Sequence, residues 1–216
     1  MNINVDPAEL AKFGELAHRW WDPQSDFKPL HDINPLRLNY INRAAGLNGK
    51  TVLDVGCGTG TLAIAAQQRV GFEGQVTGVD ASPEMIDRAR HKAKKAGADV
   101  GFHLATAQQL PFANEAFDVV LSTTMLHCLP PDSLGHSMRE MRRVLKAGGR
   151  LLLVDFGGSK GEKHSYVAQW HHHRNFDLRK VVPIVGNLDL IGVESEPLGF
   201  SDLHFIRGTA PTEYPG

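Results

Sequence analysis

Apolar and polar positions change period several times between residues 50 and 156. Residues 51–55 are a short apolar run of strand length, residues 61–69 carry apolar side chains at helical spacing, and residues 75–79 return to a short run. The alternation goes on. A helix opens at Pro83 with Ser82 as N-cap and runs through Lys95 until Gly97 stops it. Strands follow at 100–104 and 117–121, then a helix from about 132 to 145 ended by Gly148 and Gly149, and a strand at 150–156. Two closing strands are expected near 191–197 and 203–207. A βαβ series of this kind predicts a largely parallel sheet with helices on both faces.

Ahead of that series, Leu10, Phe13, Leu16, Ala17 and Trp20 share one helical face over residues 6–21, with Asp6 as N-cap and Pro7 at the first helical position. Such a helix packs on the main domain, serves as a lid, or touches a membrane surface; Trp20 and Trp21 suit any of these. Three prolines fall in the short span that follows, and no helix is expected until the last of them, Pro35, before which Asn34 is a ready N-cap. The organisation expected is a helical extension over residues 1–48 and one α/β domain over 49–216.

Composition narrows the partners. With 216 residues there is room for one domain with a sizeable core, and a formal charge of −1 with no basic stripe argues against nucleic acid. Small molecules are the default. The two cysteines show no paired framework, the start lacks a signal-peptide core, and no apolar run reaches the ~20 residues of a membrane span, so a reducing, cytoplasmic setting is expected.

The chemistry gathers at Gly56, Gly58 and Gly60, which break the first strand and open a helix. Glycines there allow a tight turn and close approach of a ligand, where free N–H groups and the helix dipole favour an anionic group. Asp80 ends the second strand 24 residues after Gly56, where a carboxylate can accept hydrogen bonds from both hydroxyls of a ribose. Dinucleotide sites favour G-x-G-x-x-G, whereas Thr61 and Leu62 follow G-x-G-x-G directly. A ligand with ribose but no pyrophosphate fits better.

Three stretches, Val52-Leu-Asp-Val-Gly-Cys-Gly-Thr-Gly60, Gly78-Val-Asp-Ala-Ser-Pro83 and Leu110-Pro-Phe with Phe117-Asp-Val-Val120, resemble class I S-adenosylmethionine-dependent methyltransferases. The resemblance implies a Rossmann-like, doubly wound, mostly parallel seven-stranded sheet and S-adenosyl-L-methionine as cofactor. It implies cofactor contacts at Asp54, Gly56, Cys57, Gly58 and Gly60, at Asp80 and Ala81, and at Thr106 and Ala107. At the bend of Thr106 and Ala107, related enzymes carry Asp or Asn before Ala to hold the adenine amino group.

A second resemblance covers the first fifth of the chain. Asn4-Val-Asp-Pro7, Arg19-Trp-Trp-Asp-Pro23 and Phe27-Lys-Pro-Leu-His-Asp-Ile-Asn-Pro-Leu-Arg-Leu-Asn-Tyr-Ile41 are similar to the ubiquinone-biosynthesis O-methyltransferases. It implies that Arg37 touches the cofactor, where a guanidinium can pair with the methionine carboxylate, and that Thr123 does so too. Leu110-Pro-Phe and Met125-Leu-His127 resemble instead the C-methyltransferases of ubiquinone and menaquinone synthesis. The two resemblances disagree about the acceptor.

If that acceptor is a phenol, with a pKa near ~10, a base helps at neutral pH, and His127, just past the fourth strand, is the candidate beside a plain packing or capping role. His171, His172 and His173, in a helix-like stretch over 165–180, cannot converge on one ion from consecutive helical positions, so no metal is expected. Cys57 reads as a small loop residue. The expected function is methyl transfer to a small aromatic or quinone-like acceptor. The alternatives are a non-catalytic cofactor-binding accessory protein that holds partners through the tryptophan helix, and a nicotinamide-dependent oxidoreductase.

Overall fold

The structure is a computed structural model that describes residues 34–157, 176–199 and 203–212. The amphipathic helix expected over 6–21 and the histidines at 171–173 lie outside the described residues. Within them the order is α1 (Asn34–Ala45), β1 (Thr51–Val55), α2 (Thr61–Val70), β2 (Gln75–Asp80), α3 (Pro83–Ala96), β3 (Val100–Leu104) and β4 (Phe117–Thr123). A 3-10 turn at Leu126–Cys128 leads to α4 (Pro131–Arg143) and β5 (Leu145–Phe156). A second 3-10 turn, Leu178–Val181, leads to α5 (Val182–Gly186), β6 (Ile191–Pro197) and β7 (Leu203–Thr209).

Seven strands form one sheet in the order β3-β2-β1-β4-β5-β7-β6, with parallel pairing from β3 to β5 and antiparallel pairing of β7 with both β5 and β6. Alternate side chains of each central strand enter opposite layers, so both faces bury apolar surface. On one face Val52, Val119, Leu121 and Leu152 pack with Ile41 of α1, Leu62 and Ile64 of α2 and Ile86 of α3. On the other, Leu53, Val55, Val120, Leu151 and Leu153 meet Met138 and Met141 of α4 and Val181 and Val185 near α5.

Local signals act where the sequence placed them. Ser82 caps α3, its hydroxyl oxygen accepting from the Met85 N–H at 3.3 Å, Pro83 opens the helix, and Gly97 closes it in the left-handed conformation. Arg143 at the end of α4 holds the Leu110-Pro-Phe112 loop, donating to the carbonyls of Leu110 at 3.0 Å and Phe112 at 2.8 Å, while Glu140 accepts from the Leu110 N–H at 2.8 Å.

Two boundaries differ from expectation. Helix α4 ends at Arg143 rather than near 145, and β5 starts at Leu145 rather than Arg150. Leu145 is fully buried opposite Phe117, and the N–H groups of Ala116 and Phe117 donate to the Val144 carbonyl at 2.8 and 3.0 Å. Sheet pairing takes these residues from the helix, with Gly148 and Gly149 inside the strand instead of ending the helix. Asn34 begins α1, and its side-chain oxygen accepts from Arg37 Nη2 at 2.6 Å.

Candidate active site

All parallel strands end at one edge, and the candidate residues lie along it: Asp54 and Gly56 at the end of β1, Asp80 on β2, Thr106 and Ala107 after β3, Thr123 on β4, and His127 in the turn beyond. Arg37 reaches the same edge from α1 and is 4% exposed.

The glycine turn is closed by its own hydrogen bonds. The N–H groups of Gly56 and Cys57 both donate to the Val79 carbonyl at 2.9 Å, that of Gly60 to the Cys57 carbonyl at 2.9 Å, and that of Gly58 to Asp80 Oδ2 at 2.8 Å. These four amides are therefore not the free donors expected from the sequence. The turn contributes close approach instead: a Cβ on Gly56 would lie 2.2 Å from Met125 Cγ, while one on Gly58 would meet nothing within 4 Å. Cys57 is 8% exposed; a Cβ on Gly78 would lie 2.8 Å from its Sγ, and burial pushes its thiol well up, so the side chain fills the space between the turn and β2.

Asp80 is fixed at both oxygens, Oδ2 by the Gly58 N–H and Oδ1 by the Ser82 N–H at 2.9 Å, with Ala81 between. Burial raises its pKa, opposed by these backbone donors. Each oxygen keeps acceptor capacity after one bond, which a ribose diol can use. The bend after β3 is tied to β2 by the Ala105 N–H donating to the Asp80 carbonyl at 3.0 Å. Ala107 is buried and Thr106 half-buried, its carbonyl accepting from the Gln109 N–H at 3.1 Å.

Asp54 is 1% exposed, and neither carboxylate oxygen has a hydrogen-bond partner among the described residues. Burial pushes its pKa up to about 7, with Arg37 pulling it down and Asp80 pushing the same way as burial. Burial also brings the Arg37 guanidinium down to about 10, against Asp54 and Asp155. Two opposite charges, one with its partner set incomplete, have the chemistry to receive a zwitterion: the carboxylate lacks hydrogen-bond donors, which an ammonium supplies, and Arg37 matches a carboxylate.

The sequence reading missed Thr124. Thr123 is half-buried at the end of β4, but it is Thr124 whose Oγ1 accepts from Arg37 Nη1 at 3.0 Å. Its φ is 51°, a left-handed conformation unusual for a β-branched residue, and strain of this kind concentrates at functional sites. No local signal announces it.

His127 is 3% exposed, and its Nδ1 lies 2.8 Å from Oδ1 of fully buried Asp155. Burial alone would lower the imidazole pKa; Asp155, with Cys128, more than reverses this and holds it well above the usual histidine value. Asp155 was not singled out in the sequence.

Residues 52–149 match a family described as a methyltransferase domain. Over 154 residues the chain is 49% identical to a ubiquinone biosynthesis O-methyltransferase of Pseudomonas paraeruginosa, an overlap covering 69% of this chain and 63% of that protein. The chain spans only 61% to 63% of the length of such curated relatives. Among solved structures, a S-adenosylmethionine-dependent methyltransferase from Aquifex aeolicus superposes with a TM-score of 0.69 at 21% identity, covering 95% of this chain and 98% of that one. Magnesium protoporphyrin IX methyltransferase from Synechocystis, solved with bound S-adenosylhomocysteine, gives 0.70 at 18% identity, covering 93% and 94%. At such identities the likeness is one of fold.

Proposed function

We propose, because residues 52–149 of this chain are a methyltransferase domain of class I build, that it transfers a methyl group from S-adenosyl-L-methionine to a small aromatic or quinone-like acceptor. The finer reading is O-methylation of a ubiquinone precursor, supported by the 49% identity to the Pseudomonas enzyme of that name. The observation that carries the proposal is the charge arrangement at the sheet edge: Asp80 fixed against Gly58, beside buried Arg37 and an Asp54 without hydrogen-bond partners among the described residues.

In this reading Arg37 takes the carboxylate and Asp54 the ammonium of the amino-acid end, and Asp80 and Ala81 hold the ribose. The Gly56–Gly60 turn, with Cys57 in it, and Thr123 pack against the ligand, while Thr106 and Ala107 line the adenine. The sulfonium supplies an already activated methyl, so the protein's work is alignment and exclusion of water. His127 is the base for a phenolic acceptor. The division of the chain at residues 1–48 and 49–216 belongs to the same reading, with contact of the N-terminal part with a membrane surface if the acceptor is lipid-borne. Two free thiols, Cys57 and Cys128, suit a reducing cytoplasm.

Calorimetry tests the site: S-adenosylhomocysteine binds the wild-type chain, and Asp80→Ala weakens binding several-fold or more. Unchanged binding removes the ribose assignment. Tritium transfer from labelled cofactor into a panel of phenols and quinols tests the reaction. Binding with no acceptor labelled favours an accessory role, and binding of NADH in place of S-adenosylhomocysteine returns the oxidoreductase reading.

A further inference from the structure

The pairing of His127 with Asp155 joins two elements 28 residues apart at the edge where β4 and β5 end. Asp155 is completely buried and its carboxylate is fixed from several sides: Oδ1 accepts from the Phe156 N–H at 2.8 Å and faces His127 Nδ1 at 2.8 Å, and Oδ2 accepts from the His127 main-chain N–H at 3.3 Å. A carboxylate held this way dictates the imidazole tautomer. In the neutral ring Nδ1 carries the proton and Nε2 is the basic nitrogen, and because Asp155 favours the imidazolium this neutral form is reached only above the usual histidine range.

Two aromatic rings flank the imidazole. The rings of Phe156 and Phe176 stand at 65° to the imidazole, with centroids 5.0 and 6.1 Å away. Met125, two residues before His127, lies over Gly56, and Arg37 interacts with both Asp54 and Asp155, so the pair adjoins the charged end of the site. Among the described residues, the titratable groups that act on the pair are the Cys128 thiol on the same turn and Arg37 of α1, which faces Asp155. A purely structural staple is a poor account of this arrangement. Strands β4 and β5 are already joined in register up to Thr123 and Val154, and a buried ion pair is a costly way to add to such pairing.

We infer that Asp155 is the positioning residue of a His127–Asp155 dyad, in which His127 accepts the phenolic proton of the methyl acceptor at Nε2. The inference rests on the methyl-transfer reading above. The acceptor O–H bond breaks with its electron pair left on oxygen, which forms the new O–CH3 bond while the C–S bond of the donor gives its pair to sulfur. The proton stays on Nε2, balanced by Asp155, until solvent takes it.

The test uses the full chain and its Asp155→Asn variant. By NMR the His127 ring titrates well above 6.5 in the wild type and drops by at least about one unit in the variant. Cofactor-product binding is retained, kcat for a phenol falls about 100-fold, and the loss shrinks as more acidic phenols are offered, since these need no base. Asp155→Glu restores part of the rate. An unchanged His127 titration, or an unchanged rate and pH profile, overturns the dyad. If Asp155→Asn fails to fold, His127→Gln carries the rate expectation alone, and a loss independent of acceptor acidity overturns it. Should the wild type methylate no acceptor while its His127 titration is as expected, the methyl-transfer reading falls, and the pair stands as a structural staple.

Discussion

The two halves of the sheet edge are built by different means. Around β1 and β2 the site is made of backbone: Gly56, Cys57, Gly58 and Gly60 spend their amides on Val79, Asp80 and one another, and Asp80 is set by two main-chain donors. Around β4 and β5 it is made of side chains brought together from far apart: Arg37 meets Thr124 across 87 residues, and His127 meets Asp155 across 28. The first half is specified by shape and tolerates no added volume at Gly56, where the chain passes closest to Met125. The second is specified by hydrogen-bonding atoms, and should tolerate changes of volume better than the loss of one oxygen.

Substitutions can break this contrast. The largest effect is expected from Gly56→Ala, where φ is 75° and the new Cβ would sit 2.2 Å from Met125 Cγ; left-handed strain and overpacking together cost about 2–5 kcal/mol, read as a large fall in Tm with loss of S-adenosylhomocysteine binding. Next comes pH. Asp54 has a folded-state pKa of about 7, raised above its unfolded value, so its stabilising contribution is complete below the unfolded value near ~4 and is lost as pH rises through 7. Asp80 shifts in the same direction, and His127 adds the same sign only above its unfolded value of about 6.5. The Tm of the ligand-free chain should fall between pH 5 and 7 by roughly the amount that Asp54→Asn removes; an equally steep fall in that variant would move the effect elsewhere.

Thr124→Val sharpens the other side. It keeps the shape but removes the oxygen that accepts from buried Arg37, at a cost of about 1–3 kcal/mol, whereas Thr124→Ser should behave like the wild type in thermal melts and cofactor-product binding. Equal behaviour of Val and Ser would show that volume, not the oxygen, matters there. The smallest effect belongs to Gly58→Ala: φ is 53° but no atom lies within 4 Å of the added carbon, so only about 1 kcal/mol of backbone strain is expected, far less than at Gly56.

The same division explains what could be read in advance. Strand and helix periods, Ser82, Gly97 and the alternating glycines are local signals, and they located the sheet, the turn and Asp80. The end of α4 was misplaced because Leu145 is claimed by Phe117, a contact that no local pattern contains. The glycine turn was legible as a turn but not as one whose amides are already used, since the acceptor is Val79 on another strand. Thr124 and Asp155 were invisible for a related reason. A positive φ at a threonine has no sequence signature, and an aspartate at the end of a hydrophobic strand looks like any other until register sets it beside His127.

The burial of Arg37 and Asp54 bears on how the protein should respond to dissolved electrolyte. Surface charges that recruit ligands lose their pull as counter-ions gather around them, because the Debye length shrinks to about 8 Å at physiological ionic strength. Here both groups lie beneath the surface, at 4% and 1% exposure, where mobile ions do not come between them and a zwitterion. Grip on such a ligand should therefore be nearly indifferent to added salt, even where salt alters how quickly a charged acceptor arrives.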